Sequence, residues 1–201
     1  CHGRKQPVST TDAYGKKIIS EYTIIENGET AVIEVANIIG LNMHERDKRA
    51  PFFGSSYGVG TVMLDAAAQG CRKIIIGLGG SATNDGGMGL LQALGCRFYD
   101  SSHKYLSPQA MNLDKVRYID FNRLNKLEGI ELIAACDVKN HLLGENGATY
   151  VFGKQKGFFP NQIRKIDLGM ENFRNQVRRY LHVDIDSFDG GGAAGGLGAV
   201  L

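Results

Sequence analysis

Four small polar side chains, Ser81, Thr83, Asn84 and Asp85, stand among six glycines, Gly77, Gly79, Gly80, Gly86, Gly87 and Gly89. Hydroxyls, an amide and a carboxylate in that company can hold phosphate oxygens, substrate hydroxyls or a hydrated Mg²⁺. Glycines let backbone approach a ligand closely, and free amides at a helix start attract anions. All ten residues fall within thirteen positions, directly after the apolar run Ile74-Ile75-Ile76. That crowding favours a ligand loop over a plain tight turn. Asp137 closes a second apolar run and is a candidate base or Mg²⁺ ligand, with a turn-making aspartate as the competing reading. Lys154 and Lys156 lie between Gly153 and Gly157, where cations can meet phosphate; Lys154 is the one more readily read as solvated. A second glycine cluster at 190–198 contains Gly191 and Gly192. It reads either as another anion-binding helix start or as close packing through small residues. Phosphoryl transfer uses equipment of this kind: positioning donors, cations and a carboxylate for metal or nucleophile.

The elements around these residues alternate between helix and strand. Residues 74–76 are β-branched and apolar on successive positions, which predicts a strand covered on both faces. A helix follows over about 86–94, capped by Asn84 or Asp85 and ended by Gly95. Residues 131–136 predict a second buried strand, so Asp137 sits where an α/β strand runs into its loop. Residues 18–25 and 30–35 flank Asn27-Gly28, a hairpin signal because both residues tolerate positive φ. A second hairpin is expected around 97–106, a short helix at 36–41 and a packed helix at 62–69 stopped by Gly70. Residues 1–17 read as irregular, 44–49 as a charged loop, and 107–129 are uninformative. Over 161–181, Ile163, Ile166, Met170, Phe173 and Val177 recur at helical spacing, with Arg164, Lys165, Arg178 and Arg179 opposite them. The whole predicts an α/β fold: a mixed β-sheet flanked by helices, in one α/β domain over residues 1–201.

Composition narrows the function classes. The chain has 201 residues, with 23 basic against 21 acidic side chains. A net charge of +2 makes no electrostatic case for nucleic acid or an anionic membrane. No apolar run is long enough for a membrane span, and no basic-then-apolar start marks a signal peptide. The four cysteines are far apart and form no CxxC pair, which suits reduced thiols in a cytoplasmic protein. The five histidines share no metal-ligand spacing. Residues 147–154 approach a Walker loop but have the wrong spacing and Gln155 in place of Ser or Thr. Ser55, Ser56 and Ser81 lack a nucleophile elbow. Both ends read as cut: position 1 is Cys, and the chain turns apolar as it stops.

Taken in order, IIIGLGGSATNDGGMGLLQALGCRFYD, ACDVKNHLLGENGA, FGKQKG and GGGAAGGLG resemble the bacterial type I glycerate kinases, with ETAVIEVANIIGL and SSYGVGTVMLDAAAQG matching the segments before the Gly-rich loop. The resemblance runs from about Val8 to Leu201. It implies an ATP-dependent kinase that phosphorylates D-glycerate to 2-phosphoglycerate with Mg²⁺, built from two α/β domains with the active site between them. This chain would be the central part, mostly the second domain, with the partner-domain segments on both sides missing. It would supply one wall of the site and be inactive alone. Residue by residue, the resemblance puts Gly79, Gly80, Ser81, Thr83, Asn84 and Asp85 on the family's Gly-rich loop and Asp137 on its Ala-Cys-Asp-Val motif. Gln155, Lys156 and Gly157 fall on its Gln-Lys-Gly motif, and residues 191–196 on its Gly/Ala-rich one. Asp85 and Asp137 are then the expected catalytic groups, with Asp137 also the Mg²⁺ ligand. Gly79, Gly80, Ser81, Thr83, Asn84, Lys156, Gly191 and Gly192 are the expected substrate and phosphate contacts. Two departures stand out. Lys139-Asn140-His141 replaces the usual Asp-Asn-Pro, and Lys154 replaces a proline. The alternatives are a non-catalytic module for small anions or a protein, or a kinase of a related hydroxy acid. The expected partners are glycerate and, as a possibility, further copies of the chain.

Overall fold

A five-stranded mixed sheet forms the backbone of the molecule, and its strand order follows from where the chain turns back and where it crosses over. The computed structural model describes residues 3–45 and 49–201. Cys1 and His2, and part of the charged loop expected at 44–49, lie outside the described residues. Strand β1 (Arg4–Thr11) pairs antiparallel with β2 (Lys17–Ile25), and β2 pairs antiparallel with β3 (Thr30–Glu34). The hairpin expected between β2 and β3 is present, but its turn is a 3-10 segment, Glu26–Gly28, in which positive φ falls on Glu26 and Gly28. After β3 the chain crosses over. Strand β4 (Lys73–Gly77) lies parallel to β3, and β7 (Glu131–Ala135) lies parallel to β4 on its other side. The ends of β4 and β7 therefore open at the same edge of the sheet.

Helix α1 (Ala36–Ile39) is a single turn after β3, and α2 (Tyr57–Ala68) is the crossover that packs on the sheet. Sequence reading starts α2 at 62 because Gly58 and Gly60 resemble loop residues. In the structure they lie inside the helix at close contacts. A Cβ on Gly58 would stand 2.0 Å from the Thr11 carbonyl oxygen, and one on Gly60 would stand 2.6 Å from Ala93 Cβ. These glycines let α2 approach β1 and α3 (Met88–Ala93). Gly95, at φ 116°, ends that helix region as expected. Val59, Val62 and Met63 of α2 join Ile33, Ile74 and Ile76 in one apolar cluster on the sheet.

A second cluster forms between α3, a two-stranded ribbon and the long helix. The ribbon pairs β5 (Arg97–Tyr99) with β6 (Tyr118–Asp120). The hairpin expected within 97–106 is present as a tight turn: Asp100 N donates to the Lys104 carbonyl and Leu106 N to the Phe98 carbonyl around the Tyr99–Tyr105 bridge, while β5 pairs along its length with β6 further along the chain. Helix α4 (Ala148–Lys156) ends at Gly157 in the left-handed conformation. Helix α5 (Pro160–Leu181) buries Ile166, Met170, Phe173 and Val177 on the predicted face, against Phe98 and Leu113. No helix among the described residues is long and apolar enough to cross a membrane.

Three expectations are overturned. Residues 4–11 are a strand, not irregular chain: alternate positions such as Val8 and Thr10 turn inward while the others face solvent. Residues 131–136 are not a buried strand. β7 is the sheet's edge, and Ile133 is 37% exposed with Ala134, Ala135 and Cys136 also open. The glycine cluster at 190–198 starts no helix. Gly190, Ala194, Gly195 and Gly196 all take positive φ, so the segment winds as two short 3-10 turns, Ala193–Gly195 and Leu197–Ala199.

Candidate functional site

The sheet edge where β4 and β7 end carries a cavity of about 240 Å³. Gly79, Gly80 and Ser81 line it from the end of β4, Cys136 and Asp137 from the end of β7. Phe152, Gln155 and Lys156 of α4, with Ala193 and Ala194, complete the wall. Parallel neighbours followed by irregular chain form a cleft of this kind because each strand's loop must leave in the same direction.

The loop after β4 is held by a short antiparallel bridge to the segment after α1. Leu41 donates its N–H to the Gly80 carbonyl at 2.7 Å, and Ala82 donates to the Ile39 carbonyl at 2.8 Å. Gly80 takes φ 73°, which a side chain would disfavour. Among the described residues the amides of Gly79, Gly80 and Ser81 donate to no acceptor. Gly79 and Gly80 are exposed, so their N–H groups are free for an anion in the cavity.

Lys156 sits in the last turn of α4, and its side chain turns inward. The residue is 2% exposed. Its ammonium donates to the Thr83 carbonyl at 2.5 Å and to Ser81 Oγ at 3.2 Å, both neutral. Burial pushes the Lys156 amine down to about 7, with the Asp85 carboxylate pulling the other way. The wall behind it is tight: a Cβ on Gly195 would stand 2.1 Å from the Thr83 carbonyl oxygen and 2.9 Å from Lys156 Nζ. Lys154, two residues away, is exposed on the opposite side of the helix. Sequence reading sees both lysines as neighbours between glycines; the helical turn separates them.

Asp137 lies at the mouth of the cavity, exposed, with no hydrogen-bond or ion-pair partner among the described residues. Asp85 lies elsewhere. It is fully buried, and its carboxylate accepts from Ser56 N (2.7 Å), Ser56 Oγ (2.8 Å), Gly89 N (3.0 Å) and Gly87 N (3.3 Å). Burial pushes the Asp85 carboxyl up and these donors pull it back. Ser56 Oγ in turn accepts from Leu90 N at 3.0 Å. The carboxylate thus caps the start of α3 and ties it to the start of α2. The expected capping by Asp85 is present, and the residue lies buried outside the lining of the cavity.

Thr83 and Asn84 are also fully buried and do not line the cavity. Thr83 holds Lys156 through its carbonyl, and Asn84 Nδ2 donates to Thr149 Oγ1 of α4 at 2.9 Å. Gly191 and Gly192 are turned away as well. Their amides donate to the Phe188 and Asn140 carbonyls, and a Cβ on Gly192 would stand 2.2 Å from the His141 carbonyl oxygen. The second glycine cluster therefore packs the cavity wall closely. The structure brings Gly79, Gly80, Ser81, Asp137 and Lys156 together and places Thr83, Asn84, Asp85, Gly191 and Gly192 behind them. The bonding roles of Ser56 and Thr149 are not visible in the sequence, since their partners Asp85 and Asn84 lie 29 and 65 positions away. Lys139 and His141 do not line the cavity; His141 bonds the Asp186 carbonyl at 2.9 Å and lies 3.6 Å from Asp189.

The profile of the glycerate kinase family matches residues 1–201. The chain is 38% identical to the glycerate 2-kinase of Escherichia coli (strain K12) over 200 residues, 99% of this chain and 52% of the relative. It is 38% identical to a glycerate kinase of Halalkalibacterium halodurans, again over 99% of this chain and 53% of the relative. A crystal structure from Salmonella typhimurium LT2, assigned as glycerate kinase 2, superposes with TM-score 0.95 at 38% identity, covering 99% of this chain and 54% of that one. The chain spans about half the length of the curated relatives it matches.

Proposed function

Since the chain belongs to the glycerate kinase family, we propose that the protein of which it forms about half transfers the γ-phosphoryl group of ATP to the 2-hydroxyl of D-glycerate. The observation that carries this reading is the cavity itself. Three free amides, a buried lysine and an unpartnered carboxylate converge at the ends of two parallel strands. The remainder of the longer protein supplies the opposite wall and the nucleotide base site, and this chain supplies the acceptor side.

In this reading the glycerate hydroxyl oxygen forms the new bond to phosphorus, the bond to the ADP oxygen breaks, and the hydroxyl proton leaves to a carboxylate. Asp137 is the carboxylate available to take it, since Asp85 is consumed by four donors. The Gly79 and Gly80 amides stabilise charge on the transferring group. Mg²⁺ fits the mouth on a simple ground: it needs one or two carboxylates beside phosphate oxygens and water, and Asp137 is exposed and unpartnered. Among the described residues no three His, Cys, Asp or Glu side chains gather into an all-protein metal cage. Asp137 would hold the ion together with the phosphates, where it would neutralise their charge. Asp85 acts as a positioning residue that fixes the loop on which Ser81 stands.

A coupled ATP-turnover assay on the intact protein, run over D-glycerate, L-glycerate, glycolate and lactate, tests the reading. D-Glycerate turnover at kcat/KM at least tenfold above the others, with phosphorus NMR placing the phosphate on C2, is the expected result. No ADP release with D-glycerate would remove it, and a preferred different acid would redirect it to that substrate.

A further inference from the structure

We infer that Lys156 and Ser81 form a receptor for the carboxylate group of the hydroxy-acid substrate, so that the acid enters carboxylate first and leaves its hydroxyl at the mouth beside Asp137. The inference rests on the kinase reading and adds to it the orientation of the substrate and the group that selects for an acid.

Charge balance assigns the ligand. Lys156 is the one cationic side chain among the described residues lining the cavity, and its ammonium donates to two neutral oxygens. Its third N–H has no acceptor among the described residues. A single buried cation is neutralised by a single negative charge. A phosphate tail with several charges would bury, at the depth of the lysine, a surplus that Phe152, Ala193 and Ala194 cannot offset. A monocarboxylate fits both ends: the acid on the lysine and on Ser81 Oγ, the neutral hydroxyl at the aspartate. Volume agrees, since about 240 Å³ holds a three-carbon acid.

The same geometry links binding to a proton. The charged and titratable groups around the amine are Asp85 behind the Ser81 loop, Cys136 and Asp137 at the end of β7, and Arg49, whose guanidinium is bonded to the Gln155 and Leu41 carbonyls. None of these forms an ion pair with Lys156. Burial lowers the amine to about 7 against the pull of the Asp85 carboxylate, so it gives up its proton more readily than an ordinary lysine. An incoming carboxylate favours the ammonium and draws in a proton.

The test is calorimetric titration of the intact protein with D-glycerate, without ATP, in Tris and in HEPES from pH 6 to pH 8.5. The expected result is proton uptake that grows from pH 6 to pH 8.5, with Kd rising over the same range. Lys156→Met raises Kd for glycerate by at least about 100-fold and removes the uptake, with KM for ATP within threefold. Ser81→Ala raises Kd about fivefold and keeps the uptake. Glycerol, which lacks the carboxylate, neither binds nor is phosphorylated. Binding of glycerol as tight as that of D-glycerate by the wild-type protein overturns the inference, whether or not the variants fold. Uptake on titration with ATP in place of glycerate, or a Lys156→Met variant with raised KM for ATP and unchanged KM for glycerate, assigns the lysine to phosphate and also overturns it. Failure of the kinase reading shows separately, as absent ADP release by the wild-type protein with glycerate.

Discussion

Two loops leave neighbouring parallel strands at the same edge of the sheet, and they are built in opposite ways. The loop after β4 is closed: Ser81, Ala82, Thr83, Asn84 and Asp85 are all buried, and Asp85 meets four donors from two helix starts. The segment after β7 begins open, with Cys136, Asp137 and Lys139 exposed and the Asp137 carboxylate unpartnered. Both loops carry an aspartate just past an apolar strand, and the residue types are the same. What separates them is who supplies the donors. Asp85 finds them in backbone amides of α3 and in Ser56, so its charge is satisfied by the fold. Asp137 finds none among the described residues, and its carboxylate stays open to whatever enters the cavity. A held loop and an open carboxylate thus face one cavity.

Removing each carboxylate breaks the pair in different observables. Asp137→Asn in the intact protein is expected to lower kcat with glycerate by about 10²- to 10⁴-fold, the usual worth of a general base, while leaving Tm within about 1 °C. Steady-state kinetics beside a thermal melt read both. An unchanged kcat would place Asp137 outside the chemistry. Asp85→Ala is expected to reverse the pattern. It strands two helix-start amides, the Ser56 amide and the Ser56 hydroxyl in the interior, at a cost of about 3 kcal/mol. Denaturant melts should show that loss, with kcat per folded molecule reduced far less than by Asp137→Asn. A stable Asp85→Ala protein with no turnover would mean that the two aspartates had been assigned the wrong way round.

Much of this contrast is hidden in the sequence. The β2–β3 hairpin, β4, α5 and the cap on α3 are legible, because each rests on local signals: Asn27-Gly28, three isoleucines, a 3.6-residue stripe, an aspartate among glycines. The elements that fail share a dependence on distant partners. β1 is a polar edge strand that needs β2 to declare it. Gly58 and Gly60 read as loop until Thr11 and Ala93 are seen against them. Residues 131–136 look buried because they are apolar, yet as β7 they have one neighbouring strand and an open side. Asp85 and Asp137 look equivalent because Ser56 is 29 positions from the first. Ala194 gives no sign that it turns left-handed, with φ 52°, to let the glycine segment follow the cavity wall.

The cation repeats the contrast at smaller scale. Lys156 is buried against neutral acceptors, with its amine near 7 in the folded protein against 10.5 for an ordinary lysine. Between those values the unfolded chain binds more protons than the folded one, so the stability of the unliganded protein rises with pH across that window. One proton is worth at most ~1.4 kcal/mol per pH unit. Wild type should therefore gain about 2 kcal/mol over Lys156→Met between pH 7.5 and pH 9, read from denaturant melts at both values. A flat difference would mean that the amine stays charged in the empty cavity.

Lys154 is the control that sharpens this last point. It shares the final turn of α4, the flanking glycines and the formal charge of Lys156, but its side chain is exposed and away from the cavity. Its remaining role is a modest interaction with the C-terminal end of the helix dipole, worth about 0.3–1 kcal/mol. Lys154→Ala should leave KM for glycerate and for ATP within twofold, keep the pH slope of stability, and shift Tm by no more than 1–2 °C. If Lys154→Ala weakened glycerate binding as Lys156→Met does, net positive charge near the cavity would be sufficient, and burial of one particular ammonium would not be the selecting feature.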